Sequence, residues 1–427
     1  MVSTLGRKIR SLRKAAGLSQ RELADGLVTK SMISQIETDR IQPSADLLKR
    51  IAAKLRVTPQ QLMPAKHEDQ ERLACYKQAQ AFLSLGHYAE ALPLLQECME
   101  APHPAWPERM LACQTAFCQQ QLGAYEEARK LYDKALRLAI CEEDAVAALR
   151  IYMRLGEVAQ GLGHLELAVI EWQRAMRELE RHPAPEDEPM LPLDVCLYLA
   201  GGLRTLGAVE EALQVYRRAE QLLEEVPEQT KRRADVLQGI GLVLELMEQY
   251  GEAEDCLSAA ETLFHSTKDR RPALQTRIAR GRLLGKTGRY QDAVSLLTEC
   301  VQEADSVPGT ELLVQVYGEL GQVYRQMGDR EQGVAMLQAG LKVPCECRIE
   351  RGRICLALAG LYREADRFGD ALAAAEQAME LLQGTKEELL AVYRLLTEFY
   401  KGQEDYRQAS LWAERADELL AEKTLDR

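Results

Sequence analysis

The chain has 427 residues, of which 46% are hydrophobic and 28% charged, a composition that excludes collagen-like and low-complexity polymers and supports buried cores. Its net charge of −12 conceals a division: residues 1–63 hold 12 Lys/Arg against 5 Asp/Glu, whereas the remainder holds 42 against 61, so the front suits a polyanion and the acidic body would be repelled by one. No uncharged apolar run approaches the roughly 18 residues of a membrane span, and eleven cysteines without an export signal read as reduced thiols of a cytoplasmic protein.

In chain order, residues 5–62 read as five short helices around a small core. Ser19-Gln20-Arg21-Glu22 is a capping box that opens a helix with Leu23, Ala24 and Leu27 on its apolar side. After Thr29 comes a helix over Lys30–Glu37, with Ile33 and Ile36 pointing inward. Pro43-Ser44 caps a helix bearing Leu47, Leu48, Ile51 and Leu55, and Thr58-Pro59 begins a last short one.

The stretch Gly17-Leu-Ser-Gln-Arg-Glu-Leu-Ala24, then Ser31-Met-Ile-Ser-Gln-Ile-Glu37, then Pro43-Ser44 resembles the XRE-type, phage-repressor-like helix-turn-helix. That resemblance implies binding to double-stranded DNA, with the third helix in the major groove. It assigns base reading to Lys30, Ser31 and Gln35 and a thymine-methyl contact to Met32. It places Gln20, Arg21 and Arg40, with Arg7 and Lys8, on phosphates. Arg13 and Glu37 match a pair that in this family bridges the first helix and the end of the recognition helix, a structural role. One head reads a short stretch, so useful specificity implies a homodimer. The competing reading of Lys30, Ser31 and Gln35 is a solvated polar face.

A linker is expected at residues 64–69, and beyond it a repeat dominates. Gly-x-Tyr-x-x-Ala occurs at Gly86/Tyr88/Ala91, Gly123/Tyr125/Ala128 and Gly288/Tyr290/Ala293, with six degenerate copies, and the nine alanine-equivalent positions lie 37 to 44 residues apart. Seven residues before each turn stands a small residue: Ala79, Ala116, Gly156, Ala200, Gly241, Gly281, Gly321, Ala359 or Thr397. In most copies a second small residue follows the Ala by seven, with a large apolar one between them, such as Tyr132, Trp172, Tyr216, Leu257 or Leu297. These offsets lie on one helical face, so each copy reads as an antiparallel helix pair that stacks on the next. The pattern resembles the tetratricopeptide repeat, whose usual period is about 34. The expected fold is therefore all-α, a five-helix head at 1–63 followed by a right-handed superhelix of about nine helix pairs over 70–427.

No catalytic constellation stands out, and no metal or cofactor site is expected. Gly281-Arg-Leu-Leu-Gly-Lys-Thr287 is one residue short of a Walker loop and follows no strand. Cys345, Cys347 and Cys355 lack paired CxxC spacing, and the six histidines are scattered. Cys345 and Cys347, in a loop, leave room for a thiol-based redox sensor. The concave surface is more informative. Counting back ten, six and three residues from each turn gives Gln238, Arg282, Gln322, Arg325, Arg363 and Arg394, together with Glu398. Guanidinium groups there can clasp a peptide carboxylate, and amides can pair with an extended backbone. Equally, the arginines can simply pair with acidic neighbours on the next repeat.

A head of this type joined to such repeats resembles the RNPP quorum-sensing regulators. What this implies is a transcription factor whose repeats bind a short signalling peptide, which changes oligomeric state or head spacing. Members often clamp the peptide backbone with asparagines, and this chain has none, so Gln and Arg would have to replace them. The rival reading is a protein-interaction scaffold that docks a folded partner such as a response regulator and tethers it to DNA.

Overall fold

The computed structural model describes residues 5–425 except 56, 63–66, 101–105, 186–187, 225–227, 305–306 and 308. Among the described residues there are twenty-three α-helices and no β-strand. Residues 63–66, which hold the first half of the expected linker, lie outside the description, and residues 67–69 already belong to a helix. Contacts divide the chain into two compact units, Met1–Leu138 and Ala139–Arg427.

Five helices build the head: α1 (Leu5–Ala15), α2 (Gln20–Ala24), α3 (Lys30–Glu37), α4 (Ala45–Lys54) and α5 (Pro59–Leu62). Their starts are set by side chains that satisfy otherwise orphaned backbone donors. Ser19 and Glu22 complete the capping box reciprocally, at 3.2 and 2.7 Å. Thr29 caps α3 through Met32 N, and Ser44 caps α4 through Leu47 N, each at 3.3 Å. Ile9, Leu23, Ile33, Ile36, Ile51 and Leu62 are fully or almost fully buried in one cluster.

Eighteen helices follow as nine pairs. The first unit contributes α6 (His67–Ser84) with α7 (Tyr88–Glu100), and α8 (Glu108–Gln121) with most of α9 (Tyr125–Cys141). The second unit holds α10 (Ala145–Gly161) with α11 (Leu165–Arg181), α12 (Leu191–Thr205) with α13 (Val209–Glu224), and α14 (Thr230–Leu246) with α15 (Tyr250–Thr267). It continues with α16 (Arg270–Lys286) and α17 (Tyr290–Ala304), α18 (Glu311–Met327) and α19 (Arg330–Lys342), α20 (Arg348–Glu364) and α21 (Phe368–Leu381), and α22 (Lys386–Gly402) and α23 (Tyr406–Leu425).

The small residue seven before the turn is where the two helices of a pair approach. A Cβ on Gly241, Gly281 or Gly321 would come within 2.4 to 2.7 Å of Leu257, Leu297 or Leu337, the large apolar residue of the partner helix. The turns themselves are left-handed at Gly86, Gly123, Gly163, Gly207, Gly288 and Gly328. In the three copies that lack this glycine, Glu248, Asp366 and Glu404 adopt the same conformation, at φ of 60°, 56° and 61°. A side chain there costs about 1–2 kcal/mol, against which glycine loses more unfolded-state entropy. Glu248→Gly is therefore expected to stabilise the second unit by about 0.5–1 kcal/mol. A urea midpoint that stays put or falls would contradict this.

Candidate DNA-binding face and repeat groove

In the head, α3 is held from behind by a buried ion pair. Arg13 of α1 contacts Glu37 at the end of α3 at 2.5 and 3.1 Å, with side chains 9% and 1% exposed. Burial opposes the ionised form of Glu37, yet hydrogen bonds from Arg13 and Gln20 outweigh it and hold the carboxyl below its usual range. The Arg13 guanidinium also donates to Leu18 O at 2.6 Å, tying the pair to the turn before α2. Gly6 lets α1 and α3 touch, since a Cβ there would lie 2.2 Å from the Ile36 carbonyl oxygen.

With Ile33 and Ile36 turned inward, α3 presents Lys30 and Ser31 as exposed and Gln35 as half-buried. Arg21, Arg40 and Arg7 are exposed, and Lys8 is half-buried. Two of the candidate side chains are engaged internally. Gln20 donates through Nε2 to Glu37 Oε2 at 2.8 Å, which turns its amide toward the ion pair and leaves its backbone at the start of α2. Met32 is half-buried and packs against the head core.

The second unit carries a cavity of about 640 Å³ lined by the first helices of its last three pairs, α18, α20 and α22, with Arg282 of α16 at one end. Of the six groove candidates, Arg282, Gln322, Arg325 and Arg394 line it. Gln238 and Arg363 do not: Gln238 Nε2 donates to the buried Thr276 Oγ1 at 2.8 Å, and Arg363 pairs with Glu398 at 2.5 Å.

Most of these arginines are neutralised by neighbouring repeats. Arg282 clasps Glu245 of the preceding repeat at 2.8 and 2.7 Å and reaches Glu319 of the next at 3.3 Å, while Lys286 adds a contact to Glu245 at 2.9 Å. Burial disfavours ionised Glu245, which is 3% exposed, but hydrogen bonds from Arg282 and Lys286 hold its carboxyl below the usual range. Burial pushes Glu319 up instead, because a single long contact to Arg282 offsets less of it. Arg325 meets Glu364 at 2.9 Å, and Arg353 meets Glu350 and Glu388 at 3.2 and 2.6 Å.

The sequence register missed part of the lining. Gln315, Arg353 and Ala391, thirteen residues before their turns, all face the cavity, as do Glu319, Ile354, Leu390 and Leu395. A further count at minus thirteen would have found the first three, since 17-residue first helices expose one more turn than the three counted positions sample.

The cysteines also depart from expectation at one place. Nine are free, but Cys345 and Cys347 form a disulfide across the loop before α20. Burial pushes Cys113, Cys118 and Cys196 up to about 11 and Cys300 up to about 12, so these are poor thiolates. Among the described residues no group of three or more His, Cys, Asp or Glu could hold a metal ion, and no helix is long and apolar enough to cross a membrane.

Comparison with known proteins follows the same division. A family described as helix-turn-helix matches residues 9–62, and one described as tetratricopeptide repeat matches residues 314–343, the α18–α19 pair. No curated protein sequence matches the chain. Among solved structures, the apo form of RapI aligns with a TM-score of 0.54 at 14% identity, covering 66% of this chain and 100% of that one. NprR in complex with its cognate peptide NprX aligns with a TM-score of 0.50 at 14% identity, covering 68% and 89%. A Rap protein complexed with competence and sporulation factor also gives 0.50 at 14%, covering 75% and 99%. At such identities the likeness is one of fold. The chain thus joins a helix-turn-helix head to tetratricopeptide-type helix pairs, and its fold is similar to those of RapI and NprR.

Proposed function

We propose that this chain is a sequence-specific transcriptional regulator whose repeats bind a short signalling peptide, and that the bound peptide changes oligomeric state or the spacing of two DNA-binding heads. The observation that carries the reading is the coexistence in one chain of a helix-turn-helix head and an open cavity of about 640 Å³ built by tetratricopeptide-type pairs. A cavity of this size suits a small ligand better than a folded partner. NprR, of similar fold, was solved with a cognate peptide.

On DNA, base edges specify and phosphates position. In this reading Lys30, Ser31 and Gln35 do the first, with Met32 beside a thymine methyl, and Arg21 and Arg40 do the second, together with the backbone amide of Gln20. A homodimer supplies two heads and therefore two half-sites. The switch is a population shift: moving an equilibrium from 1:99 to 99:1 needs about 5.5 kcal/mol of differential affinity.

The test uses the full chain in a selection from randomised duplexes, followed by binding measurements on the enriched site. Gln35→Ala is expected to cost about 1–3 kcal/mol on that site and to relax preference at one base pair. Arg21→Ala is expected to weaken all sequences alike and to lower the salt slope by about one. If no sequence is enriched, or if Gln35→Ala loses as much on random DNA, the reading fails.

A further inference from the structure

The arginines that line the cavity are not equivalent. Arg282, Arg325 and Arg353 each contact at least one glutamate, and Glu398, one turn from Arg394 on α22, is taken by Arg363. Among the described residues no acidic side chain pairs with Arg394, which is exposed and lines the cavity. Two amides are unspent as well: Gln315 and Gln322, seven residues apart on the lining face of α18, have no hydrogen-bond partner among the described residues. Between these polar groups Ile354, Leu390 and Leu395 make the lining apolar.

We infer that Arg394 is the carboxylate-recognition residue of the cavity: it takes the free C-terminal carboxylate of a short peptide whose backbone crosses α20 and pairs with the Gln315 and Gln322 amides. This rests on the peptide-sensing reading above and adds the polarity of the bound chain and the residue that selects it. A guanidinium without an internal partner binds a planar carboxylate bidentately without first breaking an ion pair. The three arginines that already hold glutamates would have to surrender them. The reach agrees with a short ligand. α18 packs on α20 and α20 on α22, two interhelical spacings of 8–10 Å each, so about 16–20 Å, which an extended chain crosses in roughly five or six residues. Arg282, at the other end, is committed to both Glu245 and Glu319, so the carboxylate has one favoured end.

The experiment exposes the full-length protein to two pools of synthetic hexapeptides of randomised sequence, identical except that one ends in a free carboxylate and the other in a carboxamide. Retained peptides are identified by mass spectrometry and their affinities measured singly. Wild type is expected to retain acids, and amidation of a retained peptide is expected to weaken it about tenfold or more. Arg394→Ala should weaken the acids by a similar factor while leaving the amides unchanged, and Arg394→Lys should restore part of the loss. Because Arg394 is exposed, these variants are expected to fold, which unaltered far-ultraviolet dichroism and melting would verify. Acids and amides retained equally, or acid affinity untouched by Arg394→Ala, overturn the assignment while the peptide reading survives. Retention of neither pool by wild type overturns both.

Discussion

Replacing Arg13 with alanine is expected to destabilise the head by about 3–5 kcal/mol, because it strands the Glu37 carboxylate at 1% exposure with the Gln20 amide as its remaining hydrogen-bond partner among the described residues. The effect should be local. In the full chain, hydrogen exchange would lose protection across residues 5–62 and keep it in the second unit, and binding to the selected DNA site would fall with the folded population of the head. The pH dependence separates a stranded charge from a lost packing contact. In the wild type, Glu37 titrates below its usual range, so the pair's stabilisation is fully present above the unfolded carboxyl pKa of about 4.3 and is lost as pH falls through the lowered folded value. In Arg13→Ala the unpaired carboxyl is desolvated and its folded pKa moves up, so that head gains stability as pH falls. The difference between the two proteins should therefore shrink between pH 7 and pH 4. A constant difference would mean that the guanidinium acts by packing alone. Replacing both partners, Arg13→Met with Glu37→Leu, should recover most of the loss, since two apolar side chains leave no buried charge.

This pair also shows what a sequence can and cannot disclose. Capping boxes, inward isoleucines and the turn phrase of the repeats are local: they are imposed by backbone donors and by helical periodicity, both of which repeat at fixed offsets. The turn positions at Glu248, Asp366 and Glu404 were legible for the same reason, although glycine was missing; that they are left-handed is a finding of the structure. Contacts between repeats were not. Whether Arg282 faces Glu245 or open water depends on how one helix pair registers on the next, and its two carboxylate partners each lie 37 residues away. Gln20 reads as a phosphate contact from its place at the start of α2, yet its amide turns to Glu37 because an ionised, buried acceptor outbids solvent. Arg363 and Gln238 follow the groove periodicity and are nonetheless occupied by Glu398 and Thr276. The register gave the helices that line the cavity, and the pairing of charges decided which cation on them remains available.

The repeats should yield most at Trp172, the largest fully buried side chain. Its indole is wedged between helices: a Cβ on Gly156 of α10 would lie 2.2 Å from Nε1, and one on Gly202 of α12 would lie 2.6 Å from Cζ3. The Nε1 hydrogen is donated to Met153 O at 3.2 Å. Trp172→Ala is expected to cost about 3–5 kcal/mol, because α10 and α12 cannot close over the volume the ring fills. Since stacked repeats are stabilised mainly by their neighbours, exchange protection should fall in α10 to α13 before it falls in α18 to α22. Uniform loss across the second unit, or a cost below about 1 kcal/mol, would contradict this account. A stricter test uses the chain's own alternatives. In two of the four copies whose small residue is alanine, at Ala116 and Ala200, the large one is a buried tyrosine, Tyr132 or Tyr216. Gly156→Ala alone should overpack against the indole and cost about 1–3 kcal/mol. Combined with Trp172→Tyr it should cost less than the two single changes together, with a favourable coupling of about 0.5–3 kcal/mol. Simple additivity would show that the small and large positions are not the mutually fitted pair that the repeat pattern and the close approach of Gly156 to Trp172 both require.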